Sequence, residues 1–472
     1  MDSELAAYIA RRTEVLAKIR RMLVVSLNLR RKPELIDPDT SLFGTGLGID
    51  SIDAVEIVVA LEIEFGVKIP DPIDRRRSLR SVNALVDLVM ASPPGKLKEK
   101  TLDPSLDSAR DERSRAELTA KMTALRTAST VTRMTHVHAL RLQGAGALDL
   151  LDAVTTSRLF ARENQMLQTL LLDQTGTPFA EAFVCLEEDS WILFAEGPSH
   201  AELLAHLQRI RQARAPSADV TVIDLLETHA LWSVDGPYAW EVVSTLLGPE
   251  VLGAPYLTFL TQKEILCFRA GKTGEYGYLL LVPQALAAAT WAKLHEIGAP
   301  LGMVEADLAT LDQCALENWH FNIRSLRRRQ PPIPLGPAEL QLQWRVELDK
   351  EFEGVEELRR RRTAGSTRRL TCFVSKRPIA PGDVVEFDQQ PIGEVVDSGW
   401  SSTRGDWVGW ATLDVGLAWP GIRRFVVVTV EGPVPIETSS PPLLDNRSLF
   451  VDPRKHRFRT RAEDEFPPLV SR

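Results

Sequence analysis

Cysteine is scarce in this sequence, and none of the cysteines has a close neighbour of its own kind. There are four in 472 residues: Cys185, Cys267, Cys314 and Cys372. A zinc site needs closely spaced Cys or His ligands, and a disulfide framework needs a denser set of cysteines in a shorter chain. The surrounding stretches (AFVC, ILCF, RLTCF) are apolar. We therefore predict buried thiols and no metal site.

Long apolar runs and an excess of positive charge are also absent. No run of about 18 apolar residues occurs, so no transmembrane helix is expected, and the opening MDSELAAYIARRTEV lacks the apolar core of a signal peptide. The 56 Lys and Arg residues are outnumbered by 64 Asp and Glu, for a formal net charge of −8. Nucleic-acid binders normally carry a basic domain or stripe. We expect a cytoplasmic enzyme or carrier with neither a nucleic acid nor a membrane as partner.

The composition of the sequence and the spacing of its apolar residues change along its length, which predicts a multidomain chain. Residues 1–92 carry apolar positions at helical spacing and predict an all-α bundle of three or four helices. Residues 93–118 have almost no apolar content and predict a flexible linker, long enough to let one domain visit the next. Residues 119–335 mix strand-like and helical runs in an α+β pattern, and residues 336–445 predict a small β-barrel. The tail, 446–472, is expected to be poorly ordered.

The helical part contains one motif with clear end signals. A helix is predicted to open at Ser51, with Asp50 as its N-cap and Gly66 at its end. A further helix is predicted over residues 81–91. The preceding loop, residues 33–48, is rich in Pro, Asp and Gly.

The stretch LFGTGLGIDSIDAVEIVVALEIEFGVKIPD, residues 42–71, resembles the phosphopantetheine-attachment region of acyl carrier proteins. The resemblance implies that Ser51 bears a 4′-phosphopantetheine arm, added by a phosphopantetheinyl transferase. A phosphodiester at that position would meet the positive end of the helix dipole. The acidic helix suits basic patches on partner proteins: an acyl- or aminoacyl-loading enzyme and downstream biosynthetic enzymes. The alternative is that Ser51 is only the first residue of a helix in a three-helix bundle.

Six later stretches resemble, in order, landmarks of the glycine cleavage T-protein, a tetrahydrofolate-dependent aminomethyltransferase, and of related folate domains in dimethylglycine and sarcosine dehydrogenases. They are LDAVTTSRLFARENQMLQTLLLDQTGTPFAEAFV, SVDGPYAWEVV, FRAGKTGEYGYLLLVP, LDQCALENW, LDKEFEGVEEL and PIGEVVDSGWSSTRG. The resemblance implies an α+β folate-binding fold with a C-terminal barrel, an enzyme that transfers one-carbon groups, and tetrahydrofolate or a one-carbon derivative as cofactor.

The same resemblance assigns candidate site residues. Glu181 stands where the family places its catalytic Asp, so it is either a reshaped acid/base or a leftover surface carboxylate. Glu275 matches a family glutamate of the folate pocket, where a carboxylate can accept two N–H bonds from the pterin edge; its alternative is a solvated surface residue. Arg269 and Glu317 complete the candidate cofactor-binding set.

Several positions depart from the family pattern. Ala180 occupies part of the family's acidic pair, and Lys272 replaces its usual Tyr. Leu279 stands where an acidic residue is common, and Ala315 replaces an arginine that could contact the substrate or the folate tail. These departures leave the use of folate open.

Three functions are consistent with the fusion of these two parts. The first is a folate-dependent one-carbon transferase that acts on an acyl or aminoacyl group tethered to its own phosphopantetheine arm in specialised biosynthesis. The second is a folate-free step on the same carrier-bound substrate. The third is a carrier fused to a degenerate docking scaffold.

Overall fold

The computed structural model describes residues 3–44, 46–91, 112–160, 162–214, 216, 219–328 and 334–470. Within these ranges, no helix combines the length and the apolar character needed to cross a membrane. The described chain forms a group of helices, two β-sheets and a closed barrel.

Four helices form the N-terminal part, which we call the helical domain: α1 Ser3–Ser26, α2 Ser51–Phe65, α3 Pro72–Ser78 and α4 Val82–Ala91. Helix α2 begins at Ser51 because the Asp50 carboxylate accepts hydrogen bonds from the backbone N–H groups of Ile52 and Asp53. The Asp53 side chain in turn accepts the N–H of Asp50, which completes a capping box. The helix ends at Gly66, whose φ of 68° is the left-handed conformation that glycine adopts readily.

Among the described residues, the next part has seven α-helices and eleven strands, and we call it the two-sheet region. Its helices are α5 Glu112–Thr127, α6 Ala147–Val154, α7 His200–Arg214, α8 Ala239–Leu247, α9 Gln284–Gly298, α10 Leu308–Asn318 and α11 Ile323–Arg328. Its strands are β1 Ser129–Arg133, β2 Val137–Gln143, β3 Met166–Leu172, β4 Pro178–Glu187, β5 Ser190–Glu196, β6 Thr221–Asp224, β7 His229–Asp235, β8 Phe259–Gln262, β9 Ile265–Phe268, β10 Gly277–Pro283 and β11 Met303–Glu305.

These strands form two sheets that pack face to face. One sheet has the order β11-β1-β7-β10-β9-β8 and the other the order β3-β4-β5-β2-β6. Residues of both sheets share one hydrophobic cluster. Within it, the rings of Phe194 and Phe268 meet edge to face with centroids 4.9 Å apart. The α+β fold predicted for this part is confirmed.

A closed barrel follows, as the sequence predicts. Helix α12, Val355–Ala364, precedes β12 Arg368–Ser375, β13 Val384–Phe387, β14 Gln390–Ser401, β15 Asp406–Asp414, β16 Phe425–Thr429 and β17 Gly432–Ser439. The strands close in the order β12-β15-β14-β13-β16-β17. Burial alternates along β17, where Val434, Ile436 and Thr438 are buried between exposed or half-buried neighbours. This period of two is the pattern of a strand with one face in a core.

The helical domain is docked against the barrel through a shared core. Leu5, Leu16 and Leu23 of α1 belong to the same buried cluster as Ile422 and Phe425 of the barrel. Hydrophobic burial of this kind favours a fixed arrangement of the two parts.

Polar contacts reinforce this contact surface, which we call the seam. The Asp39 carboxylate accepts a hydrogen bond of 2.6 Å from Gln341 Nε2, and the Asp39 backbone N–H donates to Gln341 Oε1 at 2.9 Å. Asp37 accepts two hydrogen bonds of 2.8 Å from the backbone and side-chain N–H groups of Gln343. Paired buried groups of this kind fix one register of contact.

The docking of the helical domain should depend on pH. Burial raises the pKa of both Asp37 and Asp39 to about 6, against the opposing effect of their hydrogen bonds. Nearby arginines also oppose the rise: Arg20 and Arg31 for Asp37, Arg369 and Arg12 for Asp39. An undocked aspartate titrates near about 4, so the docked form binds protons more readily. Docking should therefore become stronger as the pH falls from 7 through 6, and weaker as the pH rises above 6.

Small-angle scattering at pH 5.5 and pH 8 measures this change as a smaller radius of gyration at the lower pH. The Asp37→Asn/Asp39→Asn variant should lose most of the dependence. A larger radius at pH 5.5 in the wild type would contradict the prediction.

Two expectations about order differ from the structure. Residues 112–118, predicted to end a flexible linker, form the first turns of α5, whose Met122 and Leu125 pack on Cys314. Residues 93–111 of the predicted linker lie outside the described residues. The tail was predicted to be poorly ordered, but over residues 446–470 it packs on the two-sheet region, where Phe450 and Phe466 enter a buried cluster. The tail is rich in charged residues, so its composition did not indicate that these few apolar side chains would be buried.

Candidate functional site at the seam

A cavity of about 690 Å³, which we call the central cavity, lies where the helical domain, the two-sheet region and the barrel meet. Its lining includes Ser51, Val55, Arg75 and Arg76 from the helical domain, Tyr256, Arg269, Glu275, Trp319 and His320 from the two-sheet region, and Trp344, Arg345 and Trp410 from the chain that follows. A cavity of this size and mixed lining is typical of a small-molecule site.

Ser51 is exposed and lies at the N-terminus of α2 in the lining of the central cavity. Two arginines of α3 share that lining. Arg75 donates to the carbonyl of Ile69 at 3.1 Å, and its buried Nε has no hydrogen-bond partner among the described residues. Arg76 donates to the carbonyl of Leu449. A helix N-terminus with nearby arginines favours an anion at Ser51.

Aromatic side chains form a large part of the cavity wall. They are Tyr256, Trp319, Phe321, Trp344 and Trp410. The rings of Trp319 and Trp410 meet edge to face with centroids 5.5 Å apart. Because aromatic rings are apolar on their faces, this wall suits the methylene and amide segments of an extended chain or a flat ring.

Arg269 is held among tyrosines in the same lining. Its guanidinium carbon lies 4.8 Å from the ring centroids of both Tyr276 and Tyr278. Nη1 donates to the carbonyl of Gly277 at 2.9 Å. Cation–π contacts with two rings restrict the orientation of the guanidinium.

Glu275 also lines the cavity, but its carboxylate is already engaged. It accepts from the backbone N–H of Arg447 at 3.2 Å, from the backbone N–H and hydroxyl of Ser448 at 2.8 and 2.7 Å, and from Arg126 at 3.5 Å. A carboxylate offers about four acceptor positions, so these donors fill it. Burial raises the pKa of Glu275 despite them. The alternative of a solvated surface glutamate is wrong, since its side chain is 0% exposed.

Glu317 lies behind this wall and does not line the cavity. Its carboxylate pairs with Arg126 Nη2 at 2.7 Å and accepts from the Ser401 hydroxyl at 2.6 Å. Arg126 thus joins Glu275 and Glu317 in one buried ionic cluster. The two carboxylates share a cation that sequence reasoning had not singled out.

Glu181 lies in a smaller adjoining cavity of about 60 Å³. Its carboxylate pairs with Arg345 Nη1 at 2.5 Å and with Lys272 Nζ at 2.7 Å. Lys272 also pairs with Glu196 at 2.6 Å. Glu181 is 3% exposed, so it is not a surface carboxylate. Glu181 does not line the central cavity, whereas its partner Arg345 does.

Comparison with known proteins decides the family. The model of the GCVT N-terminal domain matches residues 100–350, more than half of the chain. The chain belongs to the glycine cleavage T-protein family. The T-protein C-terminal barrel model matches residues 368–445, and the phosphopantetheine attachment site model matches residues 17–89. The protein is therefore an aminomethyltransferase-like enzyme, of the class that transfers one-carbon groups, fused to a phosphopantetheine carrier domain.

Curated relatives and a solved structure agree with this family. The aminomethyltransferase of Frankia alni is 29% identical over 63% of this chain and 82% of its own length. That of Halothermothrix orenii is 24% identical over 62% and 83%. The crystal structure of aminomethyltransferase T from Bartonella henselae, at 20% identity, covers 70% of this chain and 90% of its own with a TM-score of 0.60, which shows the fold.

Within this T-protein fold, the structure brings together only part of the predicted site. Ser51, Arg269 and Glu275 line the central cavity, although Ser51 lies more than 200 residues from the other two in sequence. Glu181 lies in the adjoining cavity, and Glu317 lines neither. The resemblance thus identified neighbouring positions, while the assignment of their roles remains a prediction.

Two titratable residues of the site were missed by sequence reasoning. His320 lines the central cavity, and its ring has no hydrogen-bond partner in the described part of the chain. Burial, with the charges of Lys272, Arg345 and Arg126, lowers the pKa of His320 to about 3. Asp235 lines the smaller cavity, and burial raises its pKa to about 6. His320 lies in the stretch ENWHFN, which gave no periodic signal, and Asp235 lies in SVDGPYAWEVV, which matched the family only through its Gly-Pro turn.

Proposed function

We propose that this chain transfers a one-carbon group to or from an acyl or aminoacyl group held as a thioester on a phosphopantetheine arm at Ser51, and that it does so in the central cavity. One observation carries the proposal: Ser51 lines the same cavity as Arg269 and His320 of the T-protein fold. An arm on Ser51 needs no domain movement to present its cargo there. The effective concentration of a tethered substrate is on the order of mM even with a flexible linker.

The residues at the mouth and wall of the cavity suit such an arm. The charges of Arg75 and Arg76 compensate the phosphodiester beside the N-terminus of α2. The aromatic wall packs on the pantetheine chain and excludes water from the thioester. We propose that this positioning is the main contribution of the chain's own residues, since a held geometry removes the entropy cost of encounter.

His320 is our candidate for the group that contacts the cargo. Its lowered pKa keeps the imidazole neutral at pH 7, so it offers one N–H donor and one acceptor. We propose that the N–H donates to the thioester carbonyl oxygen and stabilises the negative charge that develops there. Glu181 is proposed as a positioning residue. Its carboxylate pairs with Arg345, which lines the cavity, and with Lys272.

Tetrahydrofolate, the cofactor that family membership implies, does not fit in the mode assigned from the sequence. That mode needs an open carboxylate on Glu275 for the pterin edge, and four donors already fill it. We therefore derive no step through folate. The engaged carboxylates of Glu275 and Glu181 are the observation behind a second candidate function, a folate-free step on the carrier-bound substrate.

Melting temperatures of the holo-protein with tetrahydrofolate distinguish the two candidates. Binding at about 100 times Kd should add about 2.7 kcal/mol of stability. A clear rise supports the folate-dependent transfer, and no rise supports the folate-free step. Loading and turnover of the arm, followed by intact mass, separate both from a docking scaffold, which would leave the cargo unchanged.

The His320→Gln variant should lower the single-turnover rate on loaded holo-protein by about 10²-fold or more, the range for loss of one preorganised donor. Attachment of the arm at Ser51 should be unchanged. His138→Gln is a matched control, because His138 contacts the Pro198 carbonyl at 3.0 Å and does not line the cavity. Equal rates in wild type and His320→Gln would remove this residue from the chemistry.

The proposal requires partners that attach and load the arm. A phosphopantetheinyl transferase would modify Ser51, and an acyl- or aminoacyl-loading enzyme would supply the thioester. Downstream biosynthetic enzymes would take the product. Each must reach Ser51, which is exposed in the docked arrangement.

A further inference from the structure

A second cavity, of about 430 Å³, lies between the helical domain and the barrel, and we call it the basic cleft. The chain segments around Asp37 and Gln343 line it, whereas the nearby Asp39 and Gln341 line the central cavity. The two cavities are therefore separated by these two segments. The basic cleft is not part of the site described above.

The lining of the basic cleft is dominated by cations. Eight described residues contribute them: Arg20, Arg30, Arg31, Lys32, Arg361, Arg362, Arg368 and Arg369. Four carboxylates accompany them: Asp37, Glu339, Glu347 and Asp349. This local excess contrasts with the net charge of −8 for the whole chain.

All four carboxylates already have donors. Asp37 accepts from Gln343, and Glu347 pairs with Arg31. The other two are engaged as well: Glu339 by the Gly336 N–H and the Ser366 hydroxyl, and Asp349 by Arg158. These acids therefore have limited capacity to compensate further cations.

Four of the cations lack such partners. In the ranges that the structure describes, Arg20, Arg30, Lys32 and Arg362 make no hydrogen bond or ion pair. The Nε of Arg20 is buried without an acceptor, and burial lowers the pKa of this guanidinium although Asp37 and Glu34 oppose the change. Arg20 is therefore partly withdrawn from water, whereas Arg30, Lys32 and Arg362 are exposed. Cations that lack an ion-pair partner gain free energy when an anion binds between them.

We propose that the basic cleft binds a small molecule that carries two or more phosphate groups. Its volume lies within the range of small-molecule sites. Guanidinium groups match phosphate oxygens with two parallel N–H bonds, and several unpaired cations suit a multiply charged ligand. Arg20, Arg30 and Lys32 come from the helical domain, whereas Arg362 lies at the end of α12 before the barrel. A bound polyphosphate would thus bridge the seam and stabilise the docked arrangement.

Calorimetric titration of the full chain with inorganic pyrophosphate tests the site. We expect saturable binding of one equivalent. Replacing two charged donors in Arg20→Gln/Arg362→Gln should weaken the affinity by about 10²-fold, since each charged hydrogen bond contributes about tenfold or more. Lys68→Gln/Arg454→Gln is the matched control, because these two side chains are 75% and 87% exposed and lie outside the cleft. The control should bind within about twofold of the wild type, as screened surface charges contribute little.

A second variant distinguishes loss of the binding site from loss of folding. Arg30 and Lys32 are exposed, so Arg30→Gln/Lys32→Gln should keep the wild-type melting temperature and still weaken pyrophosphate binding. A nucleoside diphosphate that binds more tightly than pyrophosphate would identify a nucleotide as the source of the phosphates, and equal affinities would identify the phosphates alone. No saturable binding of pyrophosphate, or the same Kd in wild type and both cleft variants, would overturn the proposal. Binding of an acidic polypeptide without pyrophosphate binding would also overturn it.

Discussion

Replacing Ser51 with Ala should abolish the gain of one phosphopantetheine and, with it, all turnover of carrier-bound cargo. The hydroxyl is the attachment point implied by the carrier motif, and it lines the central cavity. The substitution should not unfold the chain, because Ser51 is exposed and the capping box uses Asp50 and Asp53. We expect a stability change under about 1 kcal/mol. Intact mass after co-expression with a broad phosphopantetheinyl transferase measures the modification, and a melting curve measures the fold.

Ser78→Ala is the matched control for this experiment. Ser78 ends α3 in the same domain and does not line the central cavity. It should gain the arm to the wild-type extent. A mass shift that persists in Ser51→Ala would place the attachment elsewhere and remove the basis of the proposed function.

Replacing Arg126 with Met should cause a much larger loss of stability than replacing Ser51 or Arg133. Arg126 is 1% exposed, pairs with Glu317 and Glu275, and donates to the Thr273 carbonyl at 2.7 Å and to Asn446 at 3.1 Å. Breaking a buried ion pair by removing one partner typically costs about 3–5 kcal/mol, because the remaining charge is left uncompensated. Here two carboxylates would be left. Urea denaturation of the full chain measures the free energy of unfolding.

The pH dependence of this variant provides a sign test. Burial already raises the pKa of Glu275 while the charge of Arg126 opposes the rise, so without the arginine this pKa should rise further above its unfolded value. The stability that such a group contributes is fully present below the unfolded pKa and is lost as the pH rises through the folded pKa. The deficit of Arg126→Met should therefore be largest at pH 7 and smaller at pH 5.

Arg133→Met is the control for the stability measurement. Arg133 is half exposed and pairs with Glu305 at 3.6 Å, so its replacement should cost under about 1 kcal/mol. A loss of similar size in both variants, or a deficit of Arg126→Met that grows toward pH 5, would contradict the role of the buried cluster.

The sequence alone determined the features that depend on neighbouring residues. Helix α2 begins at Ser51 because the Asp50 carboxylate reaches N–H groups two and three residues ahead, and it ends at Gly66 because glycine adopts a left-handed φ. The main strands of the two sheets and the barrel follow from short apolar or alternating runs. The four cysteines are buried and free, as their apolar surroundings predict. Signals of this kind lie within a few positions of the residues they fix.

The tertiary structure alone decided how the candidate site residues are used. Two of the four donors to Glu275 come from Ser448, 173 residues away, and Glu181 is held by Arg345, 164 residues away. His320 lines the site, although no local sequence motif marks it. Hydrogen bonds and desolvation depend on which segments meet after folding, and no periodicity or spacing records that. The sequence therefore determined where an arm can be attached, and only the packing of three distant parts of the chain decided which side chains face it.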